Sequence, residues 1–318
     1  MTIVDGAVEW REQPDPEPGP DELLVRVRAA GIFRGDLVQV AGFYPPPPGT
    51  APPDRPGLEL AGEVVAVGER CRRFGVGDRV MAVVPGAGQA ELAAVPEAVA
   101  MPVPQGVTWA QAGGFPENYT TAHDALFTQC GLTLGERVCV HGAAGGVGTA
   151  AVELAAAAGC DVVATVRDEG LRANVEALGA TVTAPDTFGE AGPFDVILEL
   201  VGAPNMPANL KALAPGGRIS VVGIGAGAKV EVDFWQLMRA RGRIHGSLLR
   251  PRSLEEKAMA ARAVERHVLP LLAWGDVTVP IAATYPFAEV AAAYERFEQG
   301  GKFGKIVLVD DVAAAELG

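Results

Sequence analysis

The residues with the clearest chemical purpose run Val138-Cys139-Val140-His141-Gly142-Ala143-Ala144-Gly145-Gly146-Val147-Gly148. An apolar, β-branched stretch enters a glycine-rich turn, and an alanine-rich run follows over residues 149–158. Glycines let a backbone turn tightly and approach a pyrophosphate. The helix behind them aims free N–H groups and the positive end of its dipole at the phosphates. This order of strand, turn and helix predicts a dinucleotide-binding βαβ unit, with Gly142, Gly145, Gly146, Val147 and Gly148 as contacts. The second strand of such a unit ends Ala164-Thr165-Val166-Arg167-Asp168-Glu169. Its tip decides between a ribose hydroxyl and a 2′-phosphate. No acid stands at Val166, and Arg167 offers a fork of donors to a phosphate, whereas Asp168 can repel one or bond a ribose. NADPH is expected ahead of NADH, with both open.

Other constellations carry less. His123 and Asp124 are adjacent, so on a helix their side chains diverge and a surface pair is expected. The three serines, Ser220, Ser247 and Ser253, lie outside any G-x-S-x-G elbow, and no H-E-x-x-H occurs. His141 closes the first strand and is expected to be a capped strand-end histidine. Cys71, Cys130, Cys139 and Cys160 are scattered, which argues against a disulfide framework or a cysteine-rich zinc site.

These residues need elements to position them. The chain has 318 residues, 49% hydrophobic and 20% charged, ample for one large or two ordinary globular domains. A net charge of −13 argues against nucleic acid or an anionic membrane as the main partner. No leader or membrane-spanning run is evident, so the cytoplasm is the expected location. Residues 1–112 read as β-rich, with strands at 23–28 and 64–68, a turn at 75–79 feeding a third, and an extended proline loop at 45–48. Residues 113–251 alternate strand and helix, with strands at 138–141, 161–166, 195–199 and 218–223, the mark of a doubly wound parallel sheet. A helical run at 254–272 and a strand at Lys305–Val309 follow. The fold class is α/β: a Rossmann-type sheet over 113–251 inserted into a β-rich domain of 1–112 and 252–318. Chemistry is expected in the cleft between them. The tail 310–318 is expected to fray.

The runs Gly31-Ile32-Phe33-Arg34-Gly35-Asp36, Gly42-Phe43-Tyr44-Pro45-Pro46-Pro47-Pro48-Gly49 and Pro56-Gly57-Leu58-Glu59-Leu60-Ala61-Gly62-Glu63-Val64, with the glycine loop, resemble the medium-chain dehydrogenase/reductase superfamily. Phe115-Pro116-Glu117-Asn118-Tyr119-Thr120-Thr121-Ala122, Gly246-Ser247-Leu248-Leu249-Arg250 and Gly304-Lys305-Ile306-Val307-Leu308 fit the same branch, the zinc-free quinone oxidoreductases, nearest those inducible by a tumour suppressor. The resemblance implies a GroES-like catalytic domain around the Rossmann domain and reduction of quinones by NADPH. It places Thr121, Gly223, Ile224, Gly225 and Lys305 at the cofactor, and Phe33 and Tyr44 in the substrate pocket. Zinc-dependent relatives carry a cysteine at Phe33 and a histidine at Leu58, so no zinc is expected. The resemblance is imperfect: Phe33 replaces an asparagine of zinc-free relatives, and Gly145 replaces a serine of the nearest branch. Asp168 and Leu171 replace a phosphate-binding serine and lysine.

Without a Lewis acid, a plain ketone is a poor acceptor. A quinone or α,β-unsaturated carbonyl yields a delocalised anion that a few hydrogen bonds can stabilise. Tyr44 is the candidate catalytic donor, or it packs on the prolines. Arg34 and Asp36 match the resemblance, or form a structural ion pair. Enoyl reduction, a non-redox biosynthetic step and a non-catalytic nucleotide-binding relative are the alternatives. Edge strands from 229–247 predict a homodimer.

Overall fold

The computed structural model describes residues 1–317. It divides into two units, one of Met1–Thr120, Leu249–Gly300 and the chain from Lys305, the other of Thr121–Leu248 and Gly301–Gly304. The strands along the chain are β1 (Thr2–Val4), β2 (Ala7–Glu9), β3 (Glu22–Ile32), β4 (Glu59–Val67), β5 (Arg79–Val83), β6 (Leu92–Pro96), β7 (Met101–Pro102), β8 (Arg137–Val140), β9 (Asp161–Thr165), β10 (Thr181–Thr183), β11 (Phe194–Glu199), β12 (Leu213–Val221), β13 (Arg243–Gly246), β14 (Ile281–Pro286) and β15 (Lys305–Val309). Four helices bear on the site: α1 (Arg34–Val40), α2 (Trp109–Gly114), α3 (Pro116–His123) and α4 (Gly146–Ala157).

In the first unit one sheet runs β14-β15-β3-β4-β5-β7, with β6 also paired to β3. The alternation of Leu23, Val25 and Val27 with Leu24 and Arg26 buries one face of β3. The strand continues past the predicted 23–28 because Ala29 to Ile32 are all buried and pair with β15. The last strand thus returns to the N-terminal sheet as its composition predicts. Gly62 has no room for a side chain, since a Cβ there would lie 2.1 Å from the Arg26 carbonyl oxygen. That close approach coincides with irregular register between β3 and β4.

In the second unit six strands run β10-β9-β8-β11-β12-β13, all parallel. Their apolar runs suit a sheet covered on both faces. Strand order reverses beside β8, so the glycine loop leaves the sheet at its topological switch point.

Four expectations are corrected. The strand expected at 218–223 is β12, Leu213–Val221, which starts and ends earlier. The run at 254–272 is two helices, Leu254–His267 and Leu269–Trp274, because Pro270 sits in the first turn of the second and cannot continue a helix. The tail forms a helix, Asp311–Ala315, whose N-terminus Asp310 caps while pairing with Arg28. His123 and Asp124 are buried rather than a surface pair. α3 passes there into a π-helical turn, and Asp124 accepts a hydrogen bond from Ser247 Oγ at 2.9 Å.

Candidate functional site

The second unit builds a cradle at the end of β8. Gly142 has φ +64°, which an L side chain resists. A Cβ on Gly148 would lie 2.5 Å from the Gly142 carbonyl oxygen, so only glycine lets α4 start this close to the loop. No side chain caps α4 at Gly145. Its first-turn N–H groups at Gly146, Val147 and Gly148 are therefore without intrahelical acceptors. A Cβ at Gly145 would meet nothing closer than 3.5 Å, so the loop's outer side is open. These features fit the pyrophosphate of a dinucleotide.

Beneath the loop lies a network that sequence reading did not assemble. His141 is fully buried; its Nε2 is 2.8 Å from Asn209 Oδ1 and its Nδ1 is 3.1 Å from Thr165 Oγ1. Burial lowers its affinity for a proton. Asn209 Nδ2 donates to Glu199 Oε2 at 2.7 Å, and Glu199 Oε1 accepts from the Val201 and Gly202 N–H groups at 2.7 and 2.8 Å. His141 therefore braces the strand ends from below.

The remaining predicted cofactor residues lie in several places. Gly223 donates its N–H to Glu199 O at 3.0 Å, and a Cβ there would lie 2.1 Å from Leu200 O. Ile224 follows it, exposed, with Gly225 next along the loop. Thr121 is buried in α3. Arg167 is exposed at the tip of β9, while Asp168 accepts from Gly170 N–H at 3.0 Å. The turn holds Asp168, and Arg167 remains at the surface. Gly304 N–H donates to Ala144 O at 2.9 Å, which lays the segment Gly301–Gly304 along the glycine loop. Its glycine-rich sequence was the available signal for that contact.

Lys305 is engaged within the first unit. Its ammonium is buried, 2.5 Å from Glu59 Oε1 and 2.9 Å from the Ile32 carbonyl oxygen. A buried carboxylate on β4, two strands away in the same sheet, claims it.

That pair belongs to a cluster in the first unit. Phe33, Tyr44 and Leu58 converge on Gly35, where a Cβ would come within 2.8 Å of Leu58, 3.1 Å of Tyr44 and 3.3 Å of Phe33. The Lys305 ammonium lies 5.5 Å from the Phe33 ring centre. The Arg250 guanidinium lies 4.7 Å from the Tyr44 ring centre and donates to Tyr44 O, to Pro85 O and to Gln39 Oε1. Asp36 does not pair with Arg34, which is exposed. Its carboxylate is fully buried and accepts N–H bonds from Phe33 at 2.8 Å and Gly57 at 3.0 Å. Burial still raises its pKa to about 6. Burial, with Glu117 nearby, also pushes the Tyr44 hydroxyl well above the usual phenol range. Glu117 opens α3, and its N–H donates to Glu59 Oε2 at 2.8 Å. Its own carboxyl is buried, and burial with the Glu59 charge raises its pKa to about 8. Sequence reading passed over Glu117 because nothing local marks it; only the return of β15 and the packing of α3 surround it with charge.

Comparison with known proteins supplies the lineage. Residues 19–128 match the alcohol dehydrogenase GroES-like domain, and residues 177–308 match the zinc-binding dehydrogenase family. A quinone oxidoreductase of Lama guanicoe is 32% identical over 308 residues, spanning 92% of this chain and 90% of that one. The Homo sapiens synaptic vesicle membrane protein VAT-1 homolog is 30% identical over 335 residues, spanning 95% and 82%. A mycobacterial structure complexed with NADPH superposes with a TM-score of 0.82 at 26% identity over 94% of each chain. A GroES-like β-rich domain, an all-parallel Rossmann-like sheet and near-complete coverage by these relatives show that the chain belongs to the medium-chain dehydrogenase/reductase superfamily of oxidoreductases.

Proposed function

We propose that this chain is a zinc-independent reductase that uses NADPH to reduce a quinone or an α,β-unsaturated carbonyl. The observation that carries the reading is the set of side chains around Gly35. Phe33 and Leu58, at the positions where zinc-dependent relatives hold ligands, present only hydrocarbon, and a hydrocarbon cannot ligate a metal. An acceptor here must disperse its own charge, as a quinone or enone does.

Reduced nicotinamide, when bound, supplies the hydride. The chain supplies the rest. Gly142 to Gly148 and the open turn of α4 hold the pyrophosphate, with Thr121 and the Gly223-Ile224-Gly225 loop assigned to the remainder of the dinucleotide. Arg167 pairs with the 2′-phosphate, since Asp168 is already engaged by Gly170. Phe33 and Tyr44 line the acceptor pocket. The Tyr44 hydroxyl keeps its proton and donates a hydrogen bond to the acceptor oxygen. Its ring is braced by Arg250, so it arrives pre-positioned.

Steady-state oxidation of NADPH and NADH with benzoquinone, naphthoquinone and enone acceptors tests the reading. Turnover with NADPH is expected; tight NADPH binding with no turnover on any acceptor would leave a nucleotide-binding relative instead. Arg167→Ala should weaken NADPH about tenfold, roughly 1.4 kcal/mol, and leave NADH unchanged. An equal loss for both cofactors would remove Arg167 from the phosphate.

Two further features belong to this proposal. The edge strand β13 and the adjoining helix Phe234–Ala240, with Phe234, Trp235 and Met238 about 70% exposed, support a homodimer paired along this edge. Light scattering at micromolar concentration should give twice the chain mass, and Trp235→Glu should shift it toward the monomer. The four free cysteines suit the reducing cytoplasm, and no helix among the described residues is long and apolar enough to cross a membrane.

A further inference from the structure

Glu117 is the one carboxyl of the first-unit cluster left without a partner. Asp36 is held by two backbone N–H groups, and Glu59 by Lys305 and the Glu117 N–H. Among the described residues, none donates a hydrogen bond to the Glu117 carboxyl or forms an ion pair with it, although it is only 7% exposed. Arg250 is turned to carbonyl oxygens and to Gln39. The charges that reach Glu117 come from every side: Glu59 on β4, Lys305 on β15, Asp36 on α1, Arg250, Tyr44 and Lys257. One helical turn beyond it on α3, Thr120 is 4% exposed and its Oγ1 has no partner. Thr120 and Lys257 line a small cavity whose other walls are apolar, among them Met101 and Leu249. Its volume of about 10 Å³ is close to what one water molecule needs.

We propose that Glu117 is the proton donor of the reduction, giving its carboxyl proton to the acceptor oxygen and recovering one through the Thr120–Lys257 cavity. The proposal rests on the reductase reading above and adds to it the source of the second hydrogen. Hydride addition leaves an oxyanion on the quinone or enone. An O–H bond forms there as the Glu117 O–H bond breaks, leaving a carboxylate that water reprotonates. Both electrons arrive with the hydride of reduced nicotinamide, and Glu117 changes no oxidation state. The division of labour with Tyr44 follows from acidity. A buried phenol holds its proton and orients the acceptor, whereas an uncompensated carboxyl gives its proton up near neutral pH.

Two measurements test this. Difference infrared spectra of the cofactor-free protein, titrated from about pH 6 to about pH 10, should show the carbonyl stretch of a protonated carboxyl that fades near pH 8 and is missing in Glu117→Gln. In turnover, wild-type kcat should fall above that pH. Glu117→Gln should lower kcat about 100-fold or more with KM little changed and flatten the profile, and Glu117→Asp should restore part of both. Circular dichroism of each variant confirms folding. The Asp36 band, from a carboxyl raised to about 6, fades earlier and persists in the variant. A band fading near pH 8 that survives Glu117→Gln, or a Glu117→Gln variant with full kcat across the range, overturns the role while leaving the reductase reading intact. A wild-type protein that reduces no acceptor overturns the reading, and this role with it.

Discussion

Both units bury carboxylates, and they treat them in opposite ways. In the second unit Glu199 accepts N–H bonds from Val201, Gly202, Asn205 and Asn209, so nearly every lone pair is used. In the first unit three carboxyls, Asp36, Glu59 and Glu117, share one closely paired ammonium, that of Lys305, and Glu117 is left over. A satisfied buried charge fixes geometry; an unsatisfied one is costly and changes its protonation state instead. The first arrangement suits a platform beneath a rigid loop. The second suits a site that must move a proton.

The largest effect is expected from emptying the satisfied site. Glu199→Ala should strand several buried donors under the glycine loop and cost roughly 3–5 kcal/mol in denaturant unfolding. A loss below about 1 kcal/mol would mean that the network is not a platform. Next, Lys305→Met should leave the Glu59 carboxylate without its ion-pair partner and cost about 3 kcal/mol in denaturant unfolding at neutral pH. The loss should be independent of NADPH affinity, measured by fluorescence titration; a parallel fall in affinity would return Lys305 to the cofactor.

The smallest expected effect is a gain. The Glu117 pKa is raised from 4.5 in the unfolded chain to about 8 in the fold, so the folded state favours the proton. Its contribution is intact below about pH 4.5, erodes as pH rises, and is lost above about pH 8. Glu117→Gln removes that erosion. It should be close to wild type in stability at pH 5 and more stable than wild type at pH 9. A variant that is less stable than wild type at both pH values would show that the carboxylate is paired after all.

Much of the second unit was legible in the chain. Strands over 138–141, 161–166 and 195–199 lie within a residue or so of the observed β8, β9 and β11, because a parallel strand buried on both faces must be nearly all apolar. The strand at 218–223 was placed too late: β12 begins at Leu213, ahead of the paired Gly216 and Gly217, which read locally as a turn. The break at Pro270 and the buried fate of His123 and Asp124 were also misjudged. The first depended on where a helix could resume, the second on what packs against α3.

The sequence by itself determined the glycine-rich turn between β8 and α4. The steric freedom of Gly142 and Gly148 and the helix behind them are local facts, written within a dozen residues. Only the tertiary structure decided the chemistry of the acid cluster. Residues 36, 59, 117 and 305 are far apart along the chain, and they meet because β15 returns to pair with β3 while α3 packs beside β4. Which carboxyl keeps an ammonium, which keeps N–H donors and which keeps a proton depends on distances and burial that no local pattern encodes. Lys305 shows this most plainly: its place in the sequence pointed toward the cofactor, and the nearest buried carboxylate took its charge.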